Sequence, residues 1–133
     1  MREILFRGKR RDNGEWIYGS LQVFKGYSIF DKYVWKNFFT VNYQTVGQYT
    51  GLLDKDGKKI FEGDIISVTG LTPNETWGYT SVTGVVRWIN GAFEVEGMEN
   101  DDYTPYGWLH DSVAAYREVI GNVYDNPELM EVK

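Results

Sequence analysis

Three groups of residues in this 133-residue chain have the types and spacing to suggest catalytic or metal chemistry. The first is Asp54-Lys55-Asp56-Gly57, whose alternating carboxylates invite a calcium reading. An EF-hand loop starting at Asp54 needs an oxygen ligand at position 58, glycine at 59 and glutamate at 65. Lys58, Lys59 and Ile65 stand there instead, so a tight turn explains the segment better, because such turns require Asp and Gly. The second is His110, the single histidine, beside Asp111. A general base with its orienting carboxylate is the chemical reading, but neighbours in sequence rarely face each other, and Asp111 or Ser112 reads as a helix cap. The third is Glu62 and Asp64, two apart and able to share one face of a strand as paired carboxylates. Gly63 between them points to a turn entering a strand. Gly-x-Ser-x-Gly, Walker A and dinucleotide-binding patterns are missing. The expectation is a protein that is not an enzyme, with no metal and no cofactor.

Two further sets could bind rather than react. Arg7, Lys9, Arg10 and Arg11 form a basic cluster near Phe6 and Trp16, a pairing of cations and rings used to hold nucleic acid. An overall acidic chain, with pI near 4.9, repels phosphate over most of its surface. The plainer account of the cluster is a charged hairpin edge that resists aggregation. Trp77, Tyr79, Tyr103, Tyr106 and Trp108 lie in or beside two long loops, where large aromatics serve as protein-interface anchors. Alternatively they fold back and cap a core. Protein binding is the leading expectation and nucleic-acid binding the alternative. Salt separates them, because phosphate contacts weaken steeply with ionic strength.

Composition bounds the rest. A chain of this length holds one compact unit with a real core, with possible lobes at 1–44 and 45–133. Aromatics make up 17%, which suits strands and also sticky surfaces. Residues 1–68 carry 11 Lys+Arg against 8 Asp+Glu, and residues 69–133 carry 3 against 11. That asymmetry fits head-to-tail contact between copies, hence a homo-oligomer, or an acidic face for another protein. With no cysteine there is no disulfide and no thiolate site. MREILFRGKRR lacks a secretory apolar region, and no run approaches membrane-span length. A cytoplasmic address and no membrane partner are expected, which leaves the Asn74-Glu75-Thr76 sequon without meaning.

The elements that must position these residues read as β almost throughout. Runs 3–9 and 15–24 flank Asp12-Asn13-Gly14, a hairpin signal. Gly26 breaks the pattern, and 28–41 reads as a further hairpin turning near Lys36-Asn37. Strands at 45–53 and 64–69 surround the Asp-Gly turn, and 70–80, with Pro73 and two glycines, reads as an exposed loop. Residues 81–89, Asn90-Gly91 and 92–96 form the clearest hairpin. A second loop is expected over 99–107, one short helix over 110–116, and a last strand over 118–124. A mainly β fold follows. The order of elements fits a small SH3-like barrel over residues 45–125, whose closure would hide sheet edges, with an N-terminal β-hairpin lobe beside it.

Seven stretches, in order, resemble one family. They are Arg2-Glu3-Ile4-Leu5-Phe6-Arg7, Trp16-Ile17-Tyr18-Gly19, residues 46–52 (VGQYTGL), Asp54-Lys55-Asp56-Gly57-Lys58, Ile60-Phe61-Glu62-Gly63-Asp64-Ile65, Asn90-Gly91-Ala92-Phe93 and residues 118–129 (EVIGNVYDNPEL). Together they look like the YopX family of bacteriophages and of prophages in low-GC Gram-positive bacteria. The resemblance implies a mainly β, self-associating protein of phage origin, and it brings no established activity or functional residue. The chain departs from the commoner pattern in its aromatic-rich 28–41 segment and its Trp77 loop.

Overall fold

The structure, a computed structural model, describes residues 3–31, 38–71, 77–89, 91–97 and 117–130, with the backbone course alone for strand residues 68–71, 77–82 and 97. These form ten strands: β1 (Phe6–Lys9), β2 (Trp16–Val23), β3 (Tyr27–Phe30), β4 (Phe38–Thr40), β5 (Gly47–Leu53), β6 (Lys59–Phe61), β7 (Asp64–Leu71), β8 (Trp77–Ile89), β9 (Ala92–Gly97) and β10 (Arg117–Asn122). They make two antiparallel sheets, one ordered β4-β3-β2-β1-β5-β6 and the other β10-β7-β8-β9. The chain divides into two compact units, Met1–Gly51 and Leu52–Lys133.

In the first unit, successive hairpins lay β1 to β4 side by side. The Arg10 N–H donates to the Glu15 carbonyl at 2.9 Å, and the Gly14 N–H donates to the Arg10 carbonyl at 2.9 Å. Gly14 closes this loop at φ +75°, a conformation that costs glycine nothing and other residues strain. The next turn joins paired residues Val23 and Tyr27 and holds Lys25 at φ +54°, uncommon for a residue with a side chain. Of the hairpin expected within 28–41 the strand pairing is present, with Ile29 opposite Phe39 and Phe30 opposite Phe38, while residues 32–37, with the turn expected near Lys36-Asn37, lie outside the described residues. Ile29, Val41 and Tyr49 are buried. A Cβ at Gly8 would lie 3.1 Å from Val41 and 3.3 Å from Ile29, so glycine lets β1 press onto this core.

The second unit gathers Ile60, Ile66, Val86 and Val95, with Leu52, Phe93 and Val119 packed against them. Burying such a side chain contributes about 1.5–3 kcal/mol, so this cluster is the unit's main support. The expected turn at 54–57 forms: the Asp54 N–H donates to the Lys58 carbonyl at 2.8 Å, with Gly57 at φ +82°. At the expected Asn-Gly hairpin Ile89 pairs with Ala92, and Gly91 has φ +85°.

Two expectations change. The SH3-like barrel over 45–125 does not close among the described residues. A strand has two hydrogen-bonding edges, and β5 commits one to β1, through Phe6 opposite Gln48 and Arg7 opposite Gly47, and the other to β6. Over Gly47 and Gln48 the edge of β5 that faces β1 is therefore taken, and in the four-stranded sheet β10 and β9 stand at opposite ends. The loop expected over 70–80 is shorter, because Gly70 and Leu71 extend β7 and residues 77–80 begin β8, with Leu71 opposite Trp77. Aromatic and β-branched residues suit a pleated strand, and that preference outweighs the nearby Pro73. Among the described residues there is no α-helix; the helix expected over 110–116, with His110, lies outside them.

Candidate functional site

The first unit carries an open cleft of about 500 Å³ between the β1–β2 turn, the β2–β3 turn and the segment after β4. Lys9, Arg10, Arg11 and Lys25 line it, with the Lys9 ammonium 5.5 Å from the centre of the Trp16 ring, and Tyr27 and Tyr43 bring two rings. Local hydrogen bonds build it. The Arg11 N–H donates to the Thr40 carbonyl at 3.0 Å, the Asn42 N–H to the Lys9 carbonyl at 2.9 Å, and the Val41 N–H to the Tyr27 carbonyl at 3.0 Å. Asn42 accepts the Gln44 N–H on its side chain and so caps a single 3-10 turn, Tyr43–Thr45. That turn sets Tyr43 beside Tyr27, with ring centroids 5.7 Å apart and planes 28° from parallel, within the range of favourable stacking. Tyr43 nevertheless remains 61% exposed.

A smaller hollow of about 280 Å³ adjoins, lined by Arg10, Arg11, Asp12, Phe38, Phe39 and Thr40. Here the Arg10 guanidinium lies 4.4 Å from the centre of the Phe39 ring and donates through Nε to the Asp12 carboxylate at 2.8 Å. This hydrogen bond holds the Asp12 carboxyl below its ordinary pKa and raises that of Arg10. Arg10 is therefore already half-committed, whereas Arg11 and Lys25 are exposed.

Sequence reasoning found part of this site. Lys9, Arg10 and Arg11 line the cleft, but Arg7 does not: it is 5% exposed, with its guanidinium 4.6 Å from the centre of the Trp16 ring. Lys25, Tyr27 and Tyr43 were missed, and Lys25-Gly26 carried no signal beyond a break in the pattern. Of the loop aromatics, Trp77 and Tyr79 begin β8, with their side chains undescribed, and Tyr103, Tyr106 and Trp108 lie outside the described residues.

Two of the carboxylates weighed for chemistry, Asp54 and Asp64, accept backbone N–H groups of the second unit. Asp54 is buried. Its Oδ1 accepts the N–H groups of Asp56 and Lys58 at 2.9 Å each, and its Oδ2 accepts the Val119 N–H of β10 at 3.0 Å. Burial works to raise the Asp54 pKa, and these three donors together outweigh it, holding the carboxyl below its ordinary value. Asp64 is also buried and accepts the Phe61 N–H at 2.7 Å, fixing the turn through Gly63. Arg117, likewise missed, is wholly buried and donates through Nε and Nη2 to the Leu53 carbonyl at 3.0 and 2.7 Å. Asp54 and Arg117 thereby stitch β10 to the 53–58 turn.

Comparison with known proteins now bears on the chain. The model of the family described as YopX protein matches residues 5–131. The chain belongs to the YopX family. No curated protein matches it. Among solved structures, this YopX protein is similar to the crystal structure of protein EF1440 from Enterococcus faecalis, with 22% identity and a TM-score of 0.55 over 98% of this chain and 100% of that one. At that identity the likeness shows a shared fold.

Proposed function

We propose that this YopX protein is a non-enzymatic binding module that self-associates and captures another protein, of phage or host, in the bacterial cytoplasm. The observation that carries this reading is apolar surface left in water on the first unit. Phe24 is 74% exposed and Val23 61% at the β2–β3 turn, and Phe38 is 56% exposed on β4. Single exposed apolar residues are ordinary, but Val23 and Phe24 are adjacent at one turn, and Phe38 adds a further exposed ring two strands away in the same sheet, so covering them favours association. Charge supports association between copies: residues 1–51 hold 8 Lys+Arg against 4 Asp+Glu, and residues 52–133 hold 6 against 15. Opposite fields of this kind draw copies together. Trp77, Tyr79, Tyr103, Tyr106 and Trp108 belong to the same proposal as further anchors.

Light scattering tests it. Wild-type protein is expected above the 15.4 kDa of a single chain at micromolar concentration, and Phe24→Ser, Trp77→Ala or Trp108→Ala is expected to weaken association with the melting temperature nearly unchanged. An interface anchor typically contributes about 2 kcal/mol or more. A wild-type protein that stays at the mass of one chain removes the reading. A second reading, nucleic-acid binding, is favoured by the cleft of cations and stacked tyrosines.

A further inference from the structure

We infer that the cleft of the first unit is a binding site for unpaired, single-stranded nucleic acid, with phosphates held by Lys9, Arg11 and Lys25 and a base stacked on the Tyr27–Tyr43 pair. The inference rests on the second reading above and specifies its ligand.

Three observations converge. The cleft, about 500 Å³ and open to solvent, is a concave surface rather than a flat charged face. Its cations come from two separate places in the chain, Lys9 to Arg11 at the β1–β2 connection and Lys25 in the β2–β3 turn. Two stacked rings, Tyr27 and Tyr43, line the same cleft, and Tyr43 is 61% exposed. An aromatic face beside cations is what an unstacked base requires, and every base offers such a face. In a duplex the base faces are already stacked on one another, so the rings would have nothing to receive. An acidic peptide would satisfy the cations and leave the tyrosines unused.

Lys25 adds a further point. The left-handed conformation at φ +54° is one that glycine would hold without strain, yet a lysine occupies it at the mouth of the cleft. Asp12 acts in the opposite sense, since its carboxylate competes with phosphate for Arg10.

The test is fluorescence anisotropy of the full chain with a labelled 15-nucleotide oligothymidylate, the matching duplex, and polyglutamate as competitor. The single strand is expected to bind more tightly than the duplex and to resist polyglutamate. With three phosphate contacts, the log of the association constant is expected to fall against log salt with a slope of about −2, from roughly −0.7 per contact on a single strand. Arg11→Ala and Lys25→Ala, both at exposed positions, should each flatten the slope by about 0.7. Tyr43→Ala should weaken binding about tenfold and leave the slope unchanged, because stacking releases no counterion. Asp12→Asn should strengthen binding by releasing Arg10. Melting curves confirm that each variant is folded. Equal affinity for duplex, or displacement by polyglutamate at matched charge, overturns the single-strand assignment while leaving a site for polyanions. No binding of either polymer overturns both that assignment and the second reading.

Discussion

Replacing Asp54 by alanine should be among the most damaging single changes at a polar position. The carboxylate accepts three backbone N–H groups, two within its own turn and one from Val119 on β10. The bond to Val119 joins segments 65 residues apart, and a hydrogen bond to a charged group contributes about 1.5–3 kcal/mol. The Asp56 and Lys58 donors belong to an exposed turn and can reach water, so each loses about 0.5–1 kcal/mol. The total is about 2.5–5 kcal/mol. For a protein of this size the melting temperature should fall by about 8–20 °C, at roughly 3–4 °C per kcal/mol. The effect must also depend on pH. The folded-state pKa of Asp54 lies below the ordinary value of 3.8, so its contribution is complete above that value and disappears as pH falls through the lower, folded one. Urea denaturation of wild type and Asp54→Ala at pH 7, 5, 4 and 3 reads both features. The gap should be full at pH 7 and 5 and shrink between pH 4 and 3. A gap under about 1 kcal/mol at pH 7, against the charged-bond value, or one unchanged at pH 3, would refute the reasoning.

Gly63→Ala should destabilise the second unit more than Gly14→Ala does the first. Both glycines have positive φ, but a Cβ at Gly63 would lie 2.9 Å from the Tyr124 ring and one at Gly14 meets nothing within 4 Å. The left-handed conformation alone costs about 1–2 kcal/mol, and equal losses in chemical denaturation would discount the clash. Arg117→Met keeps the apolar stem and removes both donors to the Leu53 carbonyl, so a loss of about 1–3 kcal/mol is expected; no measurable loss would mean that carbonyl finds water. Far-ultraviolet circular dichroism should be dominated by strand, and a mainly helical spectrum would contradict the two sheets.

The elements written into this sequence are those whose cause is local. Asp12-Asn13-Gly14, Asp54-Lys55-Asp56-Gly57 and Asn90-Gly91 announce turns because a few consecutive residues satisfy the backbone angles by themselves. Alternating apolar residues then make the flanking runs strands, which suffices for a mainly β protein and for the family resemblance. Residues 70–71 and 77–80 were harder to place, since Pro73 and two glycines pull toward loop while Trp77, Tyr79 and Thr80 pull toward strand. Pairing with β7 decided for strand.

What tertiary structure decided was partnership across distance. Nothing near Gly47 or Gln48 indicates that β1, some forty residues earlier, will occupy that edge and draw β5 into the six-stranded sheet. Nothing near Asp54 indicates that Val119 will donate to it, because a carboxylate in a turn reads the same whether its second oxygen meets water or another strand. The basic run at 9–11 was legible as charge. Its conversion into a cleft depended on Lys25, Tyr27 and Tyr43 arriving from other hairpins, and the exclusion of Arg7 depended on its being covered. Turns and alternation are properties of neighbouring residues, which one sequence displays; a site assembled from three hairpins exists only where the sheet brings them together.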